Sequence, residues 1–306
     1  MNTRPRLRLG LCWLLLLCMA GAAQARQGPP QPLLWSVETG DHRVWLLGSI
    51  HVMRADDYPL APVVERAFAD AEHVVFEVDP GEALSAATAP QMLAAAQAGP
   101  GESPAQLLGP RDYARLQAVA AGQGVAPALL AGFRPWFVNL SLALAAASRS
   151  GLDNQLGLDV VLMRRALAAG KATSGLERAA DQIEAIAGAP LDEQLVALRR
   201  VIEEPSLLQD DVRRLHALWR AGDVDGLLAS VEAELGEQPE TLERINADRN
   251  RKWLPRIEAL ARAGEGDVLI VVGSLHLLGA HGVVEGLRGR GWTLRRVEAV
   301  PTLATP

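Results

Sequence analysis

The sequence predicts an α/β protein with a mixed central β-sheet that is built from the N- and C-terminal segments and flanked by helices. Strand-like apolar runs lie near both ends of the chain, whereas residues from about 84 to 260 show mainly helical periodicity. Within that stretch, the short segment 171–177 is expected to return to the sheet as a strand. The middle of the chain is therefore expected to form a large helical insertion, or cap, on one α/β core.

Local patterns place the individual elements of this fold. The predicted strands are 33–38, 43–47, 73–79, 171–177, 267–272 and 292–297. The predicted helices are 59–71, 83–98, 110–121, 134–147, 158–169, 179–187, 192–201, 206–221, 239–263 and 281–290. Pro255 lies inside the longest of these helices, and we expect it to kink or divide that helix because proline lacks a backbone N–H.

The first 25 residues are organised like a secretory signal peptide. Arg4, Arg6 and Arg8 precede an apolar block over 9–23, which closes on the small-residue cleavage signal Ala23-Gln24-Ala25. The block is too short for a transmembrane helix. We therefore expect residues 1–25 to be removed on export to the periplasm or beyond. Residues 26–306 are then expected to form a single domain with no integral membrane span.

Charge and cysteine content exclude several classes of function. The formal net charge is −6, and removal of the three leader arginines makes the remaining chain more acidic. An acidic chain without basic runs is a poor candidate for nucleic acid binding. Both cysteines, Cys12 and Cys18, lie in the leader, so the mature chain is expected to have no thiol nucleophile and no disulfide. Any metal must bind to imidazole, carboxylate or carbonyl ligands.

Two near-copies of one motif, close to opposite ends of the chain, mark the candidate site. Gly48-Ser49-Ile50-His51 follows one predicted strand, and Gly273-Ser274-Leu275-His276 follows another. Glycine permits a sharp turn or a close backbone approach, and the rim beyond strand ends is where open α/β sheets bind ligands. Two imidazoles at one rim are a common beginning of a metal site. The two serines are expected to orient the turns through hydrogen bonds.

Three other residues are candidates by position. Glu77 lies near the end of strand 73–79, where it is either a site residue or a solvated residue of an edge strand. Asp159 lies in Gly157-Leu158-Asp159 at a helix start, where a role as helix cap or first-turn acid and a role in the site are both open. Arg249 and Trp253 lie one helical turn apart. The arginine either packs its stem at the surface or points its guanidinium at a carboxylate or oxyanion in the site.

Together these motifs resemble the TraB/GumN family, which includes the Tiki metalloproteases. The resemblance rests on fragments in the family's order over most of the chain, namely 45–52, 75–79, 156–159, 170–177 with Gln182, 249–253 and 272–283. It implies a mixed sheet and a site made of two Gly-x-x-His motifs and an acidic residue. In the Tiki branch it implies a peptidase that depends on a divalent metal, with manganese or cobalt favoured over zinc.

Carried over residue by residue, the resemblance implies that His51 and His276 are metal ligands and that Arg249 is a cation in the site. Glu77 becomes a third ligand or the general base, while Gly48 and Gly273 shape the turns. Two neutral imidazoles and one carboxylate leave positions on a divalent ion for water. Arg249 would then stabilise a tetrahedral oxyanion. The expected substrate or ligand is a peptide or polypeptide.

Two alternatives remain open at this point. One is a non-catalytic periplasmic protein that holds a metal, haem or a peptide in the same cleft, since other family members resemble factors that silence pheromone peptides. The other is hydrolysis of a non-peptide ester, because the erythromycin esterases resemble this family in their core. An open coordination position on a bound metal would favour an enzymatic function, whereas a metal with a complete set of protein ligands would favour a binding protein.

Overall fold

The computed structural model describes residues 28–299, so the predicted signal peptide lies outside the described residues. Within this range, one mixed sheet is formed by strands in the order β4-β3-β5-β2-β1-β6. The strands are β1 (Leu34–Val37), β2 (Val44–Ser49), β3 (His73–Val78), β4 (Ala172–Glu177), β5 (Val268–Gly273) and β6 (Leu294–Val297). The predicted α/β fold with a mixed sheet is confirmed.

Parallel pairing brings the carboxyl ends of β2, β3, β4 and β5 to the same edge of the sheet. β5 pairs in parallel with both β2 and β3, and β3 pairs in parallel with β4. β1 is antiparallel to β2 and to β6. Because Gly48 lies opposite Val272 and Ser49 lies opposite Gly273, the two Gly-Ser motifs leave the sheet side by side.

The central strands are apolar because both of their faces are covered. Every residue of β2 is buried, and in β5 only Gly273 is partly exposed. Continuous apolar runs of this kind are typical of parallel strands that helices cover on both sides. The main core joins the sheet to residues of the flanking helices, including the fully buried Trp253. The edge strand β4 is more exposed and more polar in sequence.

Helices fill most of the middle of the chain, as the sequence predicts. They are α1 (Pro62–Asp70), α2 (Pro80–Ala83), α3 (Thr88–Ala96), α4 (Pro104–Leu107), α5 (Gly109–Gly122), α6 (Pro127–Leu130), α7 (Pro135–Arg149), α8 (Leu158–Ala168), α9 (Ala179–Ala187), α10 (Leu191–Glu203), α11 (Leu207–Ala221), α12 (Val224–Leu235), α13 (Pro239–Leu242), α14 (Asp248–Ala263), α15 (Ser274–Leu277) and α16 (Val283–Arg288). Two 3-10 turns, Ala55–Asp57 and Asn154–Leu156, and a π turn, Glu243–Ala247, complete the helical segments. Among the described residues, no helix has the length and apolar character needed to cross a bilayer.

The helical middle has a hydrophobic cluster of its own, separate from the core around the sheet. Residues of α5, α7 and α10 supply most of it, including the fully buried Leu116, Leu142 and Leu198. Strand β4 divides the helical middle into two stretches, since it returns to the sheet between α8 and α9. The helices therefore pack partly on one another rather than only on the sheet.

The sequence predicts a kink or a division of the long helix at Pro255, and the division is wrong. α14 continues through Pro255, which lies on the exposed face of the helix. Water can solvate the carbonyl group of Arg251, which loses its helical N–H partner, so the helix persists. The irregularity lies earlier, in the π turn Glu243–Ala247 immediately before α14.

Candidate functional site

His51 lies in the loop that follows β2 and is held by a carboxylate from helix α8. Its Nδ1 is 2.9 Å from Asp159 Oδ2. The loop and helix are joined further by the N–H of Leu158, which donates to the carbonyl of Ile50 at 3.0 Å. Asp159 is an acidic residue of the first turn of α8 but makes no capping bond, and its carboxylate lies beside His51. In the neutral ring, with Nδ1–H donated to Asp159, the Nε2 lone pair of His51 is left for a ligand.

His276 lies in the short helix α15, directly after β5. Its Nδ1 is 2.7 Å from Asn250 Oδ1, which requires Nδ1 to carry the proton because the amide oxygen only accepts. The ring packs against Trp253 at 4.4 Å between centroids. Both candidate imidazoles therefore have Nδ1 engaged by an acceptor from a helix and Nε2 turned the other way. In metal sites, such bonds fix the tautomer of a ligating histidine.

Glu77, near the end of β3, is buried and reaches the second motif. Its Oε1 accepts a hydrogen bond of 2.7 Å from the N–H of Gly273. Its Oε2 accepts from Gln182 Nε2 at 2.9 Å and from Arg249 Nη2 at 2.5 Å. His276 Nε2 lies 3.9 Å from Oε1. The buried carboxylate is thus paired, and one acceptor position on Oε1 stays free among the described residues.

Arg249 connects the acidic and imidazole parts of the cluster. Its Nε and Nη2 donate to Glu177 at 3.0 and 2.6 Å, and Nη1 donates to the carbonyl of Ile245 at 3.1 Å. Nη1 also lies 3.0 Å from His276 Nε2, to which it donates. The carbonyl of Ile245 belongs to the π turn, so this irregular turn helps to place the arginine; π turns recur at functional sites.

Close backbone approach, rather than positive φ, explains the two motif glycines. Gly273 has φ −52°, and Gly48 is not among the glycines with positive φ. A Cβ atom at Gly273 would lie 3.2 Å from Glu77 Oε1, 3.5 Å from His276 Cδ2 and 4.0 Å from His51 Nε2. The three side chains thus surround one point on the backbone. Of the two roles that the sequence left open for these glycines, a sharp turn with unusual angles or a close backbone approach, the structure shows the close approach.

The two motif serines occupy different environments. Ser274 Oγ donates to the carbonyl of Ser49 at 2.7 Å and so connects the motifs. A Cβ atom at Gly48 would lie 3.0 Å from Ser274 Oγ, which explains the absence of a side chain there. Ser49 Oγ is buried without a hydrogen-bond partner among the described residues. Ser274 therefore has the orienting contact that the sequence predicts, whereas Ser49 contributes its backbone carbonyl.

The protonation states follow from burial and neighbouring charge. The carboxylate of Asp159 raises the pKa of His51 to about 9, although water screens this charge because 66 % of the His51 side chain is exposed. Burial lowers the pKa of His276 to about 4. Burial alone would raise the pKa of Glu77, but His276, Arg249 and His51 lower it to about 2. Burial raises the pKa of Glu177, against the effect of Arg249.

The donor set fits a divalent cation in chemistry and charge but is not yet arranged around one point of coordination. With neutral imidazoles, the carboxylates of Glu77, Glu177 and Asp159 exceed the single guanidinium by two negative charges. Among the described residues, however, no three His, Cys, Asp or Glu side chains form a group ready to hold a metal ion. The hydrogen bond from Arg249 to His276 Nε2 occupies one of the expected ligand positions.

Sequence reasoning assigned no role to three residues that complete the cluster. Glu177 pairs with Arg249 and accepts from Trp253 Nε1 at 3.1 Å. Asn250 fixes His276, and Gln182 donates to Glu77. The available signals were the position of Glu177 at the end of a strand and of Asn250 beside Arg249. Neither signal identifies the partner, which lies far away in the sequence.

An α/β fold with a buried His-Glu-Arg cluster at the carboxyl edge of parallel strands defines the structural class of this protein. Residues 33–296 match the model of the TraB/PrgY/gumN family. The match covers most of the chain, and the chain belongs to this family. Comparison of the chain with curated proteins and with solved structures found no significant match.

Proposed function

We propose that the protein is an exported metal-dependent hydrolase that acts on peptides or polypeptides, with His51, His276 and Glu77 as the ligands of a divalent cation. The observation that carries this proposal is the arrangement around Gly273. Two imidazoles whose Nδ1 atoms are hydrogen-bonded elsewhere, and one carboxylate with a free acceptor position, lie next to the backbone of Gly273. Imidazole and carboxylate are ligands suited to manganese, cobalt and zinc; the family resemblance favours the first two.

When bound, a divalent cation supplies Lewis acidity that makes a water molecule more acidic. The residues of the chain supply the rest of the chemistry. Three donors hold Glu77 ionised, and this suits a ligand better than a general base, which must accept a proton readily. Asp159 orients His51, and Asn250 orients His276.

Arg249 has two roles in this proposal. It positions its neighbours, and its positive charge compensates the carboxylates of Glu77 and Glu177. Its N–H groups are engaged by Glu77, Glu177, His276 and the carbonyl of Ile245. Release of the bond to His276 Nε2 would vacate that ligand position and free one N–H of Arg249. The freed N–H is the group that would meet a substrate oxyanion.

The same hydrogen bond from Arg249 favours a second candidate, a non-catalytic binding protein. If Arg249 stays on His276 Nε2, the cluster is a closed hydrogen-bond network and cannot present His276 to a metal ion. The two candidates therefore differ in whether His276 Nε2 is available.

Metal analysis of the exported full-length protein distinguishes the candidates. We expect one manganese or cobalt ion per chain in the wild type, and none in the His51→Ala/His276→Ala double variant. The matched control is His42→Ala/His281→Ala, which removes two histidines outside the cluster and should keep the ion. No ion in any of the proteins after addition of manganese or cobalt would refute the metal site and support the binding protein.

Turnover and export are tested separately. Glu77→Gln should abolish hydrolysis of a peptide library while the far-ultraviolet circular dichroism stays that of the wild type. Retained hydrolysis would exclude Glu77 from the site. N-terminal sequencing of the protein from the periplasm or the medium should begin at Arg26, and an intact Met1 would contradict the proposed export.

A further inference from the structure

A cavity of about 380 Å³ adjoins the cluster on the side of helices α9 and α14. Its wall includes Glu177, Arg249 and Trp253, which also belong to the cluster. It does not include His51, Glu77 or His276. The cavity is therefore a separate space that contacts the site through the Glu177–Arg249 ion pair.

Three cations on the wall have no carboxylate partner among the described residues. They are Arg244, Lys252 and Arg256. Arg256 donates to the carbonyl of Leu176. Arg244 Nε is shielded from solvent and has no hydrogen-bond partner within the described part of the chain. A shielded donor without a partner is unfavourable unless a ligand or water satisfies it.

The acidic residues on the wall are largely neutralised by other residues. Glu177 pairs with Arg249, Asp181 with Arg178, and Asp248 with Arg251. Glu184 is exposed and is the remaining acidic residue of the wall. The wall as a whole is balanced, with four acidic and four basic residues, but Arg244, Lys252 and Arg256 line the cavity without an ion-pair partner in residues 28–299. Cations of this kind attract an anionic ligand into a cavity.

We infer that this cavity binds a carboxylate group of a ligand, through Arg244, Lys252 and Arg256. The carboxylates already on the wall repel a doubly charged phosphate more strongly than a singly charged carboxylate, and this favours the carboxylate. Leu176, Ala185 and Trp253 add an apolar surface against which the carbon chain of the ligand can pack. This site does not depend on a bound metal or on turnover.

A carboxylate can come from the C-terminus of a peptide or from an acidic side chain, and capped tripeptides separate the two sources. Calorimetric titrations at low salt would use N-acetyl-Ala-Ala-Ala with a free carboxylate and N-acetyl-Ala-Glu-Ala amide. N-acetyl-Ala-Ala-Ala amide serves as the neutral control, and inorganic phosphate as the competing anion. We expect saturable binding of at least one of the two carboxylate peptides, and at least about tenfold weaker binding of the neutral peptide, as for one lost charge-assisted bond.

Variants test the assigned residues in the full-length protein. Lys252→Ala and Arg244→Ala should each weaken carboxylate binding by about tenfold. Arg262→Ala removes a cation of the same helix outside the cavity and should leave binding within about twofold. Equal binding of the neutral peptide, tighter binding of phosphate, or unchanged binding in Lys252→Ala would each overturn the inference. Because Lys252 is exposed, its replacement keeps the test valid if Arg244→Ala fails to fold.

Discussion

The buried carboxylate of Asp57 joins the 3-10 turn after β2 to helix α11. It is 1 % exposed. Its Oδ2 accepts from the N–H of Arg54 and from His216 Nε2, each at 2.7 Å, and its Oδ1 accepts from Arg220. The bond to Asp57 gives His216 a structural role. Asp57→Asn keeps the shape of the side chain but removes its charge. The new amide NH₂ group would also face an N–H donor that now binds the carboxylate.

We expect Asp57→Asn to lower the free energy of unfolding by about 3–5 kcal/mol, the range for breaking one partner of a buried ion pair. That is a large part of the total of about 5–15 kcal/mol for a typical domain. The matched control is the exposed neighbour Asp56, because Asp56→Asn makes the same change of charge. Its effect should stay within about 0.5 kcal/mol.

The pH dependence supplies a second check of the same reasoning. Burial raises the pKa of Asp57, but hydrogen bonds from His216, Arg54 and Arg220 lower it overall. A lowered folded-state pKa gives stability that is complete above the unfolded pKa of about 3.9 and is lost as the pH falls through the lower folded value. The difference in stability between wild type and Asp57→Asn should therefore shrink below about pH 4.

Urea denaturation at several pH values, followed by tryptophan fluorescence, measures both quantities. The reasoning is refuted if Asp57→Asn and Asp56→Asn have the same stability at pH 7. It is also refuted if the difference between wild type and Asp57→Asn is unchanged at pH 3.

Three further changes have definite expected outcomes. Asp159→Asn should weaken manganese binding about 10–100-fold in calorimetric titration, since it loosens the orientation of His51; unchanged affinity would exclude this role. Gly157→Ala places a Cβ atom 2.4 Å from the carbonyl oxygen of His51 and should lower the free energy of unfolding by about 1–3 kcal/mol, whereas the open position Gly132 should tolerate alanine. Trp253→Phe removes the indole N–H that donates to Glu177 and should cost about 1–3 kcal/mol in thermal unfolding, as for the loss of one hydrogen bond to a charged group; an unchanged melting temperature would contradict that contact.

Local patterns predicted the strands well because buried parallel strands are continuous apolar runs between turns. The segment 73–79, for example, differs from β3 by one residue at its end, and 267–272 differs from β5 by one residue at each end. Helix α12 was missed because its alanine- and glycine-containing sequence has a weak amphipathic pattern. Its start did carry a signal, since Asp223 caps the helix by accepting from the N–H of Gly226 at 2.9 Å.

The main residues of the candidate site were predictable from the sequence, but their hydrogen-bond and ion-pair partners were not. His51, Glu77 and His276 each follow or end a strand, and parallel pairing brings such positions to one edge. The partner of Arg249 could not be read from sequence, because Glu177 lies 72 positions away and is reached only through tertiary packing. The strand order depends on similar long-range contacts, which no local periodicity encodes.

The position of β5 has a consequence for how the chain reaches its native state. β5 is late in the sequence, yet it lies between β3 and β2 and is the strand that joins the β4–β3 pair to the β2–β1 pair. Without β5, the native pairing leaves β1 to β4 as two pairs that are not joined, each with an unpaired edge of the kind that promotes aggregation. Closing the sheet then requires contacts across most of the chain, which slows folding. A nascent chain that ends before β5 is thus expected to need protection by a chaperone.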